Sequence, residues 1–138
     1  MKSVLADSGF LVAVYNSRDA YHRRCMKFYE SLEAPLATCE PVIAETIYLL
    51  SSTPGAANDI LASVEEGVLA IPFKLSESAA PVRNVMKKYR DLGIDLADGC
   101  LIQMADELDT GDILTLDSDF RHYRWRRNRA FNLLIPLN

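Results

Sequence analysis

The sequence is poor in cysteine, in histidine and in long apolar runs, and each shortage argues against a class of protein. It contains three cysteines and two histidines among 138 residues, with no C-x-x-C pair. Since an odd number of cysteines leaves at least one unpaired, the composition argues against a disulfide scaffold and favours reduced thiols. No stretch approaches the roughly 20 apolar residues of a membrane span, and the apolar run before Asp7 is too short for a signal peptide. We therefore expect a cytoplasmic protein that does not enter a membrane.

The sequence also lacks an excess of positive charge. Its formal net charge is −4, which by itself gives no sign of a nucleic-acid binder. The distribution is uneven, however, because five of the 15 basic residues fall within the segment 121–129, the basic segment. A length of 138 residues fits one domain, 1–138, that buries a sizeable core.

Apolar runs typical of strands alternate with helical patterns along the chain. The predicted strands are 2–6, 36–38, 68–73, 112–116 and 131–135, and the predicted helices are 9–15, 20–32, one that opens at Glu40 and Pro41, 53–66, 76–89 with Ser76 as its cap, and 96–108. Strands separated by helices imply a parallel sheet covered by helices on both faces. The fold class is therefore α/β, in which ligands bind beyond the carboxyl ends of the strands.

Four acidic residues lie where a folding argument would not place them, namely Asp7, Glu45, Asp98 and Asp117. Asp7 and Asp117 each follow an apolar strand-like run, while Glu45 and Asp98 lie among the apolar positions of predicted helices. An unpaired carboxylate near a core costs several kcal/mol or takes up a proton, so it needs a compensating cation. Because Asp7 and Asp117 follow strands, both are expected at the ligand-binding edge of the sheet. One divalent metal site would compensate all four charges.

Three of these acids also have a local structural explanation. Asp7 could cap the helix that follows it, and Asp98 could belong to a capping arrangement with Asp95. Asp117 could open an Asx-type turn. Glu45 has no such backbone task, because it lies on an apolar helix face. The purely structural interpretation therefore needs several independent coincidences.

The type of side chain indicates the type of metal. Hard cations such as Mg²⁺ and Mn²⁺ prefer carboxylate and water oxygens, and no histidine or cysteine stands at metal-ligand spacing, which argues against structural zinc. Acidic clusters of this kind bind metals that activate water and stabilise the leaving oxygen of a phosphodiester. His22 and His122 are far apart in sequence and are expected at the surface rather than in a catalytic pair.

Each of the four acids lies in a short motif: LADSG at 5–9, EPVIAE at 40–45, DLADG at 95–99 and LTLDSDF at 114–120. In order and spacing these motifs resemble those of PIN-domain ribonucleases, above all the VapC-type toxins of prokaryotic toxin–antitoxin pairs. The resemblance covers nearly the whole chain. It implies a PilT N-terminus-like three-layer α/β/α sandwich with a mainly parallel sheet, and cleavage of single-stranded RNA that depends on Mg²⁺ or Mn²⁺. It further implies a cognate antitoxin protein as partner, and a homodimer.

The same resemblance assigns roles to individual positions. The four acids match the family's catalytic, metal-binding positions. Two hydroxyl residues match positions that hold the metal water or the acidic side chains, and a further acid matches a position that is acidic in only some members. These supporting residues are Ser8, Thr115 and Asp119.

The basic segment follows directly after the fourth acidic motif. We predict a hairpin in which 123–125 pairs with 130–134 through a left-handed turn at Asn128. Its arginines would grip phosphates while Tyr123 or Trp125 stacks on an unpaired base, or an antitoxin segment would lie on the same arginines. The alternative is a solvated charged turn in which Trp125 covers the sheet edge. The residues predicted to contact RNA are Arg121, Arg124, Trp125 and Arg126.

Two other functions deserve comparison with a nuclease. A catalytically silent module could keep the fold and bind a protein or RNA partner, but four acids without a metal would only repel one another. A phosphatase or receiver domain would need a lysine after a later strand, where this chain has Asp117, which would repel phosphate. The sequence therefore favours a metal-dependent ribonuclease.

Overall fold

Five short parallel strands form the central sheet of the computed structural model, which describes residues 2–137. The strands of this sheet are β1 (Val4–Ala6), β2 (Leu36–Ala37), β3 (Leu69–Ala70), β4 (Asp112–Leu114) and β7 (Asn132–Leu133), and a separate two-stranded hairpin contains β5 (Arg124–Trp125) and β6 (Arg129–Ala130). The helices are α1 (Ser8–Tyr15), α2 (His22–Ser31), α3 (Glu40–Leu49), α4 (Ala56–Glu65), α5 (Leu75–Lys88) and α6 (Leu96–Leu108). Within the described residues, no helix is long and apolar enough to cross a membrane.

The strand order is β3-β2-β1-β4-β7, and every neighbouring pair is parallel. The chain moves outward from β1 through β2 to β3, and then returns to place β4 on the other side of β1. Because parallel crossovers are right-handed, this reversal puts α1 to α4 on one face and α5 and α6 on the other. Most helix contacts agree, since α1 packs on α2, α3 and α4, whereas α5 packs on α6; α3 also contacts α6. The predicted α/β/α sandwich with a mainly parallel sheet is confirmed.

The two central strands, β1 and β4, define where the site must be. They pair in the register Leu5 with Ile113 and Ala6 with Leu114, and all four side chains are buried. Continuous apolar strands of this kind are expected where helices cover both faces of a sheet. Since the connections leave β1 and β4 in opposite directions, a crevice opens beyond their carboxyl ends.

Several predicted element boundaries differ from the structure. The strand predicted at 68–73 is reduced to the two residues of β3, because β2 offers only two residues for pairing. The helix predicted from Thr53 begins at Ala56, since Gly55 takes a left-handed φ of 76° and the chain turns before it. The predicted cap Ser76 lies inside α5, whose preceding residue Lys74 makes no side-chain cap.

The basic segment forms a hairpin with a different partner from the one predicted. β5 pairs with β6 in antiparallel fashion, but the chain then leaves the hairpin and adds β7 to the main sheet beside β4. The predicted pairing of 123–125 with 130–134 is therefore wrong beyond residue 130. The left-handed residues of the turn are Arg126, with φ 44°, and Arg127, with φ 70°, rather than Asn128.

Candidate metal centre

Asp7 leaves β1 and caps α1. Its Oδ1 accepts a hydrogen bond from the backbone N–H of Ser8 at 2.7 Å, and its Oδ2 accepts one from the Thr115 hydroxyl at 2.8 Å. The side chain is only 5% exposed. Asp7 is thus both a helix cap, as its local sequence predicts, and part of a buried polar site between two strand ends.

Asp98 lies in the first turn of α6, where Asp95 is the cap. The Asp95 Oδ1 accepts a hydrogen bond from the Asp98 N–H at 2.9 Å, so the capping task falls on Asp95 and leaves the Asp98 carboxylate available. That carboxylate is 8% exposed, and its Oδ2 accepts a hydrogen bond from the Tyr123 hydroxyl at 3.1 Å. Helix capping therefore explains the presence of Asp95, but it does not explain the buried carboxylate of Asp98.

Asp117 follows β4 and opens the predicted turn. Its Oδ1 accepts a hydrogen bond from the Asp119 N–H at 2.9 Å, which begins a short 3₁₀ helix. Its own N–H donates to the Thr115 hydroxyl at 3.0 Å. Asp119 contributes this backbone donor, and its half-buried side chain lies next to the turn.

The carboxylates of Asp7, Asp98 and Asp117 converge at the carboxyl edge of β1 and β4. One oxygen from each lies within 4.8 Å of the other two, a spacing at which one cation could contact all three. Glu45 is not part of this group of three. It is half-buried on α3, and its Oε1 accepts a hydrogen bond from the Ser8 hydroxyl at 2.7 Å, which links it to the residue that follows Asp7.

The electrostatics of the group are unfavourable without a cation. Burial raises the pKa of Asp98 to about 8 against a usual value of 3.8, and the charges of Asp7 and Asp95 add to the effect. Burial likewise raises the pKa of Asp7 to about 6, even though its hydrogen bonds from Thr115 and Ser8 act in the opposite direction. A divalent cation would replace lost hydration and cancel the mutual repulsion, so the site favours binding one.

Thr115 joins two of the three acids through a single hydroxyl group. Its Oγ1 donates to Asp7 and accepts from the Asp117 N–H, and the side chain is fully buried. Both hydrogen-bonding capacities of the hydroxyl are therefore used inside the site. Thr115 fixes the end of β4 against the end of β1.

Tyr123 lies inside the protein rather than on the RNA-facing surface that its sequence position suggested. It is fully buried, with ring centroids 5.0 Å from those of Tyr89 and Phe120 in edge-to-face contacts, and its hydroxyl reaches Asp98. It cannot stack on an RNA base. The alternation of buried Tyr123, outward Arg124 and buried Trp125 is the period of a half-buried strand, and this signal could have identified its inward orientation.

Trp125 is likewise turned inward. It is 7% exposed, its indole N–H donates to the Ala130 carbonyl, and its ring lies so close to Gly111 that a Cβ there would stand 2.2 Å from the indole nitrogen. The alternative interpretation, in which Trp125 covers the sheet edge, is the observed one. The predicted stacking of Trp125 on RNA is therefore not available in this fold.

The predicted RNA-contacting arginines separate into two places. Arg121 donates to the Leu137 carbonyl, and Arg124 donates to carbonyls at the start of the hairpin, close to Asp117 in the chain. Arg126 instead forms an ion pair with Asp109 at 3.0 Å, just past the last turn of α6. Because Asp98 is in the first turn of that helix, Arg126 lies roughly 15 Å away along its axis, and its contact with RNA stays a prediction.

The histidines and cysteines lie outside the acidic group. His22 is hydrogen-bonded through Nδ1 to the Ala13 carbonyl, and His122 is exposed. The three cysteines are buried and free: Cys25, Cys39 and Cys100. The candidate ligands are therefore oxygen donors alone, which suits a hard divalent cation.

Comparisons with known proteins give a consistent picture. A family model described as PIN domain matches residues 4–126. The chain is 25% identical over 122 residues to Ribonuclease VapC26 of Mycobacterium tuberculosis, and the match covers 87% of this chain and 89% of that protein. It is similar in fold to the crystal structure of Mycobacterium tuberculosis VapC20, described as a Sarcin-Ricin loop cleaving toxin. That match has a TM-score of 0.76 and 18% identity, and it covers 84% of this chain and 91% of the other.

Proposed function

The chain belongs to the PIN domain family, and on that premise we propose that it is a metal-dependent endoribonuclease that hydrolyses phosphodiester bonds of single-stranded RNA. The observation that carries the proposal is the convergence of three carboxylates within 4.8 Å at the switch point of the sheet. The raised pKa values of two of them support it, because they mark a site that is unfavourable unless a cation is bound.

The donor set fits Mg²⁺ or Mn²⁺. Asp7, Asp98 and Asp117 would hold the ion. Glu45 would contribute a fourth carboxylate from α3, where the Ser8 hydroxyl orients it by a hydrogen bond. When bound, such an ion stabilises negative charge on a phosphate and lowers the pKa of water. The chain's own residues do the rest of the positioning.

Hydroxyl groups keep the acids in place. Thr115 donates to Asp7, Tyr123 donates to Asp98 and Ser8 donates to Glu45, so three of the four acids are oriented by a hydroxyl donor. Each bond fixes one oxygen of its carboxylate, and this preorganisation lowers the cost of arranging ligands when substrate arrives.

The relatives suggest a biological setting. One is named a ribonuclease and the other is described as a cleaving toxin. We infer that this chain acts as one nuclease domain in the cytoplasm, as the toxin of a type II toxin–antitoxin pair. On this proposal it forms a homodimer and is neutralised by a cognate antitoxin protein, and Arg121 and Arg124 contact RNA phosphates.

The test compares cleavage of a labelled single-stranded RNA by the parent, by Asp98→Asn and by Asp59→Asn. Asp59 is a matched control because it is an exposed aspartate on α4, away from the acidic group. We expect cleavage with Mn²⁺ by the parent and by Asp59→Asn, and a loss of at least about 100-fold in Asp98→Asn or in excess chelator. Equal cleavage by Asp98→Asn would mean that a contaminant is responsible. Absence of Mn²⁺ binding by calorimetry would favour the silent interaction module.

A further inference from the structure

A surface groove of about 320 Å³ lies beside the acidic group. It is lined by Tyr21, Arg24, Leu116, Ser118 and Leu137. Leu116 and Ser118 are the chain neighbours of Asp117, so one wall of the groove is formed by the segment that carries this acid. The opposite wall belongs to the start of α2.

Tyr21 presents an aromatic ring to solvent from a fixed backbone position. The residue is 51% exposed, and within residues 2–137 its side chain makes no hydrogen bond. Its N–H donates to the Asp19 Oδ1 at 2.8 Å, and its carbonyl accepts from the Cys25 N–H at 2.9 Å. An exposed ring on an anchored backbone is a suitable platform for stacking, because little conformational freedom is lost on binding.

Arg24 places a cation on the same side of α2. It follows Tyr21 by three residues, which puts the two side chains on one face of the helix. Its guanidinium donates to the Pro136 carbonyl, which leaves other N–H groups free. Arg121 is tied in the same way to Leu137, a residue of the groove.

No carboxylate of residues 2–137 lies within 4.0 Å of either guanidinium. Across residues 2–137, the ion pairs within 4.0 Å are Lys2 with Asp109 and Arg126 with Asp109. Within that part of the chain, Arg24 and Arg121 are therefore cations without an acidic partner beside the groove. A polyanion that approaches the acidic group needs such a cation, because the carboxylates alone repel it.

We propose that this groove binds one nucleotide of a single-stranded RNA, next to the phosphate that is cleaved. The base stacks on Tyr21, and a phosphate oxygen contacts Arg24. The inference rests on the proposed ribonuclease function and names the substrate subsite of that same centre. Tyr21 would supply the exposed aromatic ring that Tyr123 and Trp125 cannot supply, because both are buried.

The test measures RNA affinity separately from cleavage. The full chain carrying Asp98→Asn, alone or with a second substitution, is titrated into a fluorescein-labelled oligouridine 12-mer, and binding is followed by fluorescence anisotropy. Adding Tyr21→Ala should weaken binding by about 5- to 150-fold, the range of one base–aromatic stack, whereas Tyr21→Phe should stay within about twofold. Leu61→Ala on α4 is the control for loss of an exposed apolar side chain. Circular dichroism melts establish that each variant folds.

A second variant examines the phosphate contact. Arg24→Gln should weaken binding and lower the slope of log affinity against log salt by about 0.7, the value of one phosphate contact on a single strand. Unchanged RNA affinity in both Tyr21→Ala and Arg24→Gln would overturn the proposed subsite. That result is expected if the groove binds a protein segment and not RNA. Failure of the parent chain to cleave RNA would overturn the proposed function, while an effect of Tyr21→Ala on binding would still support the subsite.

Discussion

Replacing Asp98 by asparagine should stabilise the metal-free protein and reduce the dependence of its stability on pH. The carboxyl has a pKa of about 8 in the folded chain against 3.8 when it is unperturbed. Between these values the folded state keeps a proton that the unfolded state has lost. The free energy of unfolding therefore falls as pH rises through this range, by up to about 1.4 kcal/mol per pH unit.

The magnitude follows from the pH interval. Between pH 5 and pH 7, Asp98 alone should remove about 2 to 3 kcal/mol from the free energy of unfolding. Asp7, with a pKa of about 6, adds to the loss mainly below pH 6. In Asp98→Asn only the contribution of Asp7 remains. The variant should therefore be more stable than the parent at pH 7, and its free energy of unfolding should change little above pH 7.

Urea unfolding followed by circular dichroism, with chelator present at each pH, measures this difference. Asp59→Asn is the control, because an exposed aspartate should leave the profile of the parent unchanged. The reasoning is refuted if Asp98→Asn loses stability between pH 5 and 7 as steeply as the parent. It is also refuted if millimolar Mn²⁺ at pH 7.5 stabilises the variant as much as the parent, since only a chain that binds the ion gains stability from it.

Three further substitutions examine the groups around the site. Thr115→Val should lower the free energy of unfolding by about 1 to 3 kcal/mol, because a buried carboxylate oxygen and a backbone N–H lose their partner, and cleavage should fall at least about tenfold. Tyr123→Phe keeps the ring but removes the donor to Asp98, so calorimetry should find Mn²⁺ affinity reduced by about 10-fold. Gly111→Ala should cost about 1 to 3 kcal/mol in urea unfolding by displacing Trp125, without changing Mn²⁺ affinity.

Two of these substitutions have a matched comparison variant. Thr115→Ser keeps the hydroxyl, so it should retain most of the activity, and an equal loss in both variants would contradict the role of the hydroxyl. Tyr89→Phe is the comparison for Tyr123→Phe, because it removes a hydroxyl from the same aromatic cluster. The Tyr89 hydroxyl accepts a hydrogen bond from the Arg124 N–H and does not contact an acid. If Tyr89→Phe weakens Mn²⁺ binding as much as Tyr123→Phe, the effect comes from the cluster and not from orientation of Asp98.

The arrangement of the sheet could be predicted from the sequence because burial and alternation constrain it strongly. The apolar runs mark strands covered on both faces, and two of them, 2–6 and 112–116, are followed by an acid. Since parallel strands point the same way, the carboxyl ends of these strands lie at one edge of the sheet. The acids at these ends were predicted to meet, and Asp7 and Asp117 do lie together. Asp98 joins them through the first turn of α6.

Other features depend on tertiary packing that no local pattern records. The basic segment has the composition of an exposed nucleic-acid contact, yet Tyr123 and Trp125 are held inside by aromatic neighbours and by Gly111. The left-handed turn falls on arginines because the N–H of Arg126 is fixed by the Asp106 carboxylate, which outweighs the turn preference of Asn128. Tyr21 has no sequence signal of its own, because its exposure beside Asp117 arises only when α2 packs.

The order of the strands has a consequence for synthesis. β4, which stands next to β1 in the middle of the sheet, is the fourth strand in the chain, and the acids that meet there are separated by up to 110 positions, from Asp7 to Asp117. A chain still being translated, with β4 inside the ribosome, has no neighbour for that side of β1 and no second strand end for the ion. On the proposed function, the three carboxylates can therefore meet around an ion only after β4 and Asp117 have left the ribosome.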